Sequence, residues 1–195
     1  MIPTRIIDNV LPQAYADNIE QDVMSGAFPW NYMHDITYDT AYGSNSGFVN
    51  IVYEIGKKPT EWFPYVKPII YNIEAACGYK MNNLLRIRVG LLQSKVNSPE
   101  YDAPHIDFNG PHITACYYPA DADGDTFVFD QTFDMIPKPV SEHNMRQYTK
   151  NTNFTIATQS TPKKNRVCVF DGIRFHASSR PKIADRRVVI TINYN

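Results

Sequence analysis

After Asn83 the chain breaks into short runs that only a sheet can use. LLRIRVGLLQ, ITACYY, DTFVFD, NFTIAT, RVCVFD and RRVVITINY are β-branched and aromatic, and Pro, Gly, Asn and Asp clusters separate them. That texture is the signature of an all-β sandwich or barrel. Aromatic residues make up 13% of the chain, which suits a β-rich body with an aromatic-lined pocket. At 195 residues, with no repeat, low-complexity segment or linker, one domain over 1–195 is expected, with 1–82 as support and 83–195 as core.

The first 82 residues carry the helices. RIIDNVL reads as an opening strand. Pro12 to Met24 follows a helical period, with Tyr15, Ile19 and Val23 on one stripe. FPWNYMHDITYDT reads as strand and loop, and SGFVNIVYEIG as a strand closed by a turn. Over residues 60–77 a stripe of Trp62, Val66, Ile69, Ile73 and Cys77 predicts a helix on the outside of a sheet. Thr60 is its candidate cap and Gly78 its stop, while Pro68 kinks it or moves its start.

Charge and hydropathy exclude several classes. A formal charge of −1 argues against a general nucleic-acid binder, although residues 138–195 carry 11 Lys+Arg against 3 Asp+Glu. No apolar run approaches the roughly 20 residues of a membrane span, and MIPTRIIDNVLPQ lacks the pattern of a secretory signal. Cys77, Cys116 and Cys168 are isolated and odd in number, as expected of buried free thiols in a reducing compartment. The expected location is cytoplasmic.

His105-Ile106-Asp107 is the stretch with chemistry in it. Residues i and i+2 of an extended segment point to the same side, so an imidazole and a carboxylate can grip one ion together. Pro104 biases the segment towards extended geometry, and His176 follows the strand RVCVFD by a turn. Two histidines and one carboxylate with positions left open suit non-haem Fe(II), with a basic residue nearby for an organic-acid cosubstrate. Composition alone leaves open that His105 and His176 are unrelated polar residues. His34, His112 and His143 have no comparable partner and are assigned structural or surface roles.

With the closing RRVVITINY, these residues resemble the iron(II)/2-oxoglutarate-dependent dioxygenases, most of all their prolyl 4-hydroxylase branch. The resemblance covers about residues 83–195. It includes the Tyr-bearing strand ITACYY, the turn Ala122-Asp123-Gly124-Asp125, and Arg186 and Arg187 ten and eleven positions after His176. It implies a double-stranded β-helix (jelly-roll) barrel, mainly β and braced by the N-terminal helices. It also implies His105, Asp107 and His176 as the Fe(II) ligands and catalytic centre, with 2-oxoglutarate and O2 as cosubstrates. In pleat parity Arg187, Val189 and Thr191 share one face, while Arg186 shares the other with Val188, Ile190 and Ile192. The family pairs its basic residue with a hydroxyl on that face, which selects Arg187 with Thr191 for the distal carboxylate. Tyr118 resembles the family tyrosine that donates to the same cosubstrate, and Tyr117 is its mirror-face rival.

The implied activity is hydroxylation of an unidentified small-molecule or peptide substrate, with release of succinate and carbon dioxide. A prolyl residue fits the nearest branch. Halogenases of this superfamily replace the carboxylate ligand with a small residue, so Asp107 favours hydroxylation. Arg86 and Arg88 share a strand face that either binds an acidic group or meets solvent, and KVNSPEYDAP and PKPVSEHNMRQYTKNTN read as irregular covering loops. The alternatives are a catalytically silent jelly-roll module and a metal enzyme of another barrel family, such as a cupin isomerase.

Overall fold

The computed structural model describes residues 1–36 and 45–195. Its strands are β1 (Arg5–Asp8), β2 (Asn31–Met33), β3 (Gly47–Glu54), β4 (Leu84–Gln93), β5 (Ile113–Tyr118), β6 (Thr126–Thr132), β7 (Ile156–Ser160), β8 (Arg166–Asp171), β9 (Arg174–Ser178) and β10 (Arg186–Tyr194). They form a seven-stranded antiparallel sheet ordered β1-β8-β5-β10-β4-β3-β2 and a three-stranded sheet ordered β7-β6-β9. The extended segment at His105 bridges His176 on the free side of β9 and so lies along the smaller sheet. The architecture is a jelly-roll, with each of the six runs after Asn83 contributing one strand. Residues 37–40 of the FPWNYMHDITYDT reading lie outside the described residues.

Pleat parity divides the larger sheet into an apolar face and a chemical one. On β10, Val188, Ile190, Ile192 and Tyr194 join a core shared with Ile87 and Val89 of β4, Tyr117 of β5 and Val167 of β8. Helices α1 (Gln13–Met24), α2 (Phe63–Val66) and α3 (Pro68–Cys77) cover that face with Ile19, Val23, Val66, Ile69, Ile70 and Ile73. Ile73 is 1% exposed, so truncating it to alanine would cost about 2–5 kcal/mol. The opposite face looks between the sheets. It carries Cys116 and Tyr118 of β5, and Cys168 and Phe170 of β8, packed on Val128 of β6.

Two local outcomes differ from the sequence reading, and one settles an alternative that it leaves open. Pro68 divides the expected helix over 60–77 into α2 and α3, because proline has no N–H for a helical bond across the junction. Thr60 is not a cap; its hydroxyl donates to the Val52 carbonyl at 3.2 Å. The segment read as an irregular loop holds α4 (Glu142–Asn151), where the Ser141 hydroxyl accepts from the Asn144 amide at 3.1 Å. Gly78 ends α3 as expected, at φ 73°, where a left-handed residue is needed.

Candidate metal centre

One isolated backbone bridge, made of two hydrogen bonds, brings the histidine and carboxylate side chains together. The amides and carbonyls of His105 and His176 exchange hydrogen bonds at 2.9 Å each. This sets the two rings side by side, with centroids 4.5 Å apart. Asp107, two residues on, faces the same way, and its Oδ2 stands 3.6 Å from His176 Nε2. One donor atom from each of His105, Asp107 and His176 lies within 4.8 Å of the others.

The donor set fits a divalent cation. The Nδ1 of His105 meets the Ala103 carbonyl at 3.1 Å, and that of His176 meets the Arg174 carbonyl at 3.3 Å. A carbonyl only accepts, so each Nδ1 carries the proton and each Nε2 keeps its lone pair for a metal. Burial holds both imidazoles neutral, lowering His105 to about 3 and His176 in the same direction. Burial works against the Asp107 carboxylate, but the bound Arg86 guanidinium and the Asn193 amide hold the group below the usual carboxylate range. Arg86 Nη2 donates to Asp107 Oδ1 at 2.5 Å, and Asn193 Nδ2 donates to Oδ2 at 2.8 Å.

Below the three donors a cavity of about 60 Å³ runs between the sheets, bordered by Arg88, Cys116, Thr126, Arg187, Val189 and Thr191. Arg187 is 2% exposed; its Nε donates to the Gly124 carbonyl and its Nη2 to the Thr126 hydroxyl, both at 2.6 Å. Arg186 is exposed and lies on the other side of the sheet, beside Val23 and Trp30. Thr191 shares the cavity face and pairs across strands with Cys116 and Arg88. Tyr118 is fully buried beneath Arg187, whose guanidinium lies 5.8 Å from its ring centroid. It does not border the cavity. Tyr117 packs on the helix side.

The mouth is divided by the His105–Asp107 segment. One lobe of about 450 Å³ is walled by α4, with Val140, Met145, Ile106 and Phe108. The other, of about 510 Å³, is walled by Met33, Ile51, Glu54, Arg86 and Arg88, and Arg146 of α4 borders both. The remaining histidines stand apart from the donor set. His34 is exposed beside Asp35, and His143 is exposed on α4. His112 is buried with its ring against Gly172 and its Nδ1–H donating to the Gly110 carbonyl at 2.8 Å.

Two partners of Asp107 were not anticipated in these roles. The sequence offers Arg86 to an acidic group or to solvent, and gives Asn193 no role. The signal for Asn193 was present: it continues the Arg187–Val189–Thr191 face as a polar residue near the end of an apolar strand.

No family model matches the chain, and no curated protein matches its sequence. Solved structures do. A non-haem α-ketoglutarate-dependent epimerase of nogalamycin biosynthesis superposes with a TM-score of 0.63 at 15% identity, over 98% of this chain and 77% of that one. A 2OG-Fe(II) oxygenase-family oxidoreductase from Burkholderia pseudomallei gives 0.64 at 11% identity, over 98% and 84%. A Trichoplax adhaerens prolyl hydroxylase gives 0.58 at 15% identity, over 98% and 82%. The fold is that of the 2-oxoglutarate/Fe(II) oxygenases. The superpositions cover 98% of this chain, so they take in residues before Asn83 as well as the strands after it. Among the described residues no helix is long and apolar enough to cross a membrane.

Proposed function

We propose that this protein is an Fe(II)- and 2-oxoglutarate-dependent oxygenase that hydroxylates a peptide or small-molecule substrate. One observation carries the reading: two lone-pair imidazole nitrogens and a carboxylate converge at the rim of a cavity whose wall includes a buried guanidinium. His105, Asp107 and His176 would hold the metal as catalytic residues, and their neutral rings and single carboxylate leave other positions for cosubstrate and O2. Bound iron would supply the oxidising chemistry, in which a substrate C–H, 2-oxoglutarate and O2 give the hydroxylated product, succinate and carbon dioxide.

The chain's own work is positioning and exclusion of water. Arg187 spends two of its N–H donors on Gly124 and Thr126, which fixes the plane of the fork and leaves the rest for the distal carboxylate. Thr191 adds a hydroxyl on the same face, and Tyr118 supports the guanidinium from below. Leu92, Phe48 and Val189 line the cavity and keep it apolar between its charged groups.

A prolyl residue in a peptide is the substrate class this reading carries forward. The two lobes on either side of the His105–Asp107 segment would let an extended chain cross the metal with its reacting residue at the centre. The Trichoplax neighbour is a prolyl hydroxylase in complex with a peptide fragment. A small-molecule substrate draws support from the epimerase neighbour, whose complex holds Fe3+, α-ketoglutarate and nogalamycin RO.

Anaerobic addition of Fe(II) and 2-oxoglutarate tests the proposal. The expected result is a weak visible charge-transfer band, lost in His105→Ala and Arg187→Ala, with slow succinate formation once air is admitted. Proline-bearing peptides should then accelerate succinate release. Wild-type protein that gives neither band nor succinate would overturn the reading.

A further inference from the structure

Asp107 is held on both oxygens before any metal is considered. Its side chain is 6% exposed, Arg86 takes Oδ1 at 2.5 Å, and Asn193 donates to Oδ2 at 2.8 Å. Oδ2 is also the oxygen that faces His176 Nε2. We propose that Arg86 and Asn193 are positioning residues, forming a clamp that presents one oxygen of Asp107, Oδ2, to the metal and withholds the other. The inference rests on the reading of His105, Asp107 and His176 as metal ligands.

The clamp is built on one rung of the larger sheet. Arg86 of β4 and Asn193 of β10 are register partners, and Asn193 is in turn the partner of Thr114 on β5. Asn193 Nδ2 also donates to Thr114 Oγ1 at 3.1 Å, and Asn193 is fully buried. The Arg86 guanidinium lies 5.0 Å from the Phe108 ring centroid, next to Asp107 in the chain. Three adjacent strands thus fix the angle of a carboxylate that arrives from the segment beside the other sheet. Sites carried on strands hold their geometry better than sites on loops.

Lone-pair accounting gives the clamp its chemical meaning. A carboxylate oxygen has two acceptor directions. On Oδ2 one is used by a neutral amide, which leaves the other for a cation. On Oδ1 the contact is a charge-assisted bond to a guanidinium, among the strongest available to a carboxylate. A cation drawn to Oδ1 as well would sit beside that guanidinium, and like-charge repulsion disfavours chelation through both oxygens. One-oxygen binding keeps the coordination number down and leaves positions for a chelating cosubstrate and for O2.

The test uses Co(II), an air-stable stand-in with a visible d–d spectrum, added to the full chain. Arg86→Met and Asn193→Leu should each weaken Co(II) binding about 10-fold or more, the loss typical when a ligand's hydrogen-bond partner is removed. Arg86→Met should also change the d–d band as the freed oxygen joins the metal. Arg86→Lys covers the case in which Arg86→Met does not fold, and should give a smaller loss than Arg86→Met or Asn193→Leu. Folded variants that bind Co(II) with wild-type affinity and spectrum would overturn the clamp, even if their melting temperatures fall, because the two residues would then only fasten the segment. Wild-type protein that binds no divalent cation would instead overturn the metal centre, and the clamp with it.

Discussion

Gly124 shows how narrowly one residue can be constrained. A Cβ there would lie 2.6 Å from the Ser179 carbonyl oxygen, 2.9 Å from Arg187 Cδ and 3.0 Å from the Pro181 nitrogen. Two of those three atoms are backbone and cannot swing aside. The same glycine's carbonyl accepts from Arg187 Nε, so any shift moves the guanidinium. Gly124→Ala should therefore cost about 1–3 kcal/mol in stability. It should also weaken 2-oxoglutarate binding while leaving Co(II) affinity near wild type. Melting curves and paired titrations would check this, and equal loss of both ligands would show the damage to be general. At this scale parity along RRVVITINY places Arg187 and Thr191 on one face, and the family resemblance points to that face. Parity extended by one more step reaches Asn193, but its partner Asp107 comes from a segment whose meeting with β10 no local pattern encodes.

At the scale of elements, α4 is hidden from periodicity, and so is the short strand β9. EHNMRQYTKN has no continuous apolar stripe; Met145 and Tyr148 pack against the cluster of Phe129, Phe175 and Ile136, and the residue buried beside them is the polar Thr149. Its start is instead marked by Ser141, with Glu142 in the first turn and Lys150 in the last, each suited to the helix dipole. Ser141→Ala should lower the local stability of α4 by about 1 kcal/mol. Hydrogen exchange over 142–151 should quicken while the strands keep their protection, and unchanged exchange would deny the cap its role. Because α4 walls one lobe of the mouth, the same variant should raise substrate KM more than it lowers kcat. The other strands were legible because alternation and β-branched content agree, and α3 because its stripe is strong. Pro68 resolved its own ambiguity by splitting the helix, which propensity could pose but not decide.

For the whole molecule, the uneven charge along the chain becomes internal pairing. Lys163 and Arg166 reach Asp8 of β1, and Lys164 reaches Asp17 and Glu20 of α1. Arg174 pairs with Asp130, and Arg180 lies 3.9 Å from Asp102. Part of the basic final third thus meets the acidic first part as neighbours. Arg166 and Lys163 hold the Asp8 carboxyl down to about 2, against an ordinary value of 3.8. A depressed carboxylate contributes stability above its unfolded value and loses it as pH falls through the folded one. Asp8→Asn should therefore flatten the acid limb of the stability curve between about pH 4 and pH 2. Solvent screening keeps the loss at neutral pH to roughly 1 kcal/mol or less. Urea titrations across that pH range would measure it, and parallel curves for mutant and wild type would rule the pairing out as a source of acid sensitivity.

The amino-acid order by itself determined the strand texture, the helical stripes, and that the two arginines of the 186–187 pair face opposite sides of the sheet. Each follows from a period of two or 3.6 that a side chain's neighbours in the chain enforce. Only the tertiary structure decided that His105 would bridge His176 and that Asp107 would lie between Arg86 and Asn193. It alone decided, too, that charges from the two ends of the chain would pair. Those contacts join residues far apart in the chain, and their energy is realised only once the two sheets have closed over one another.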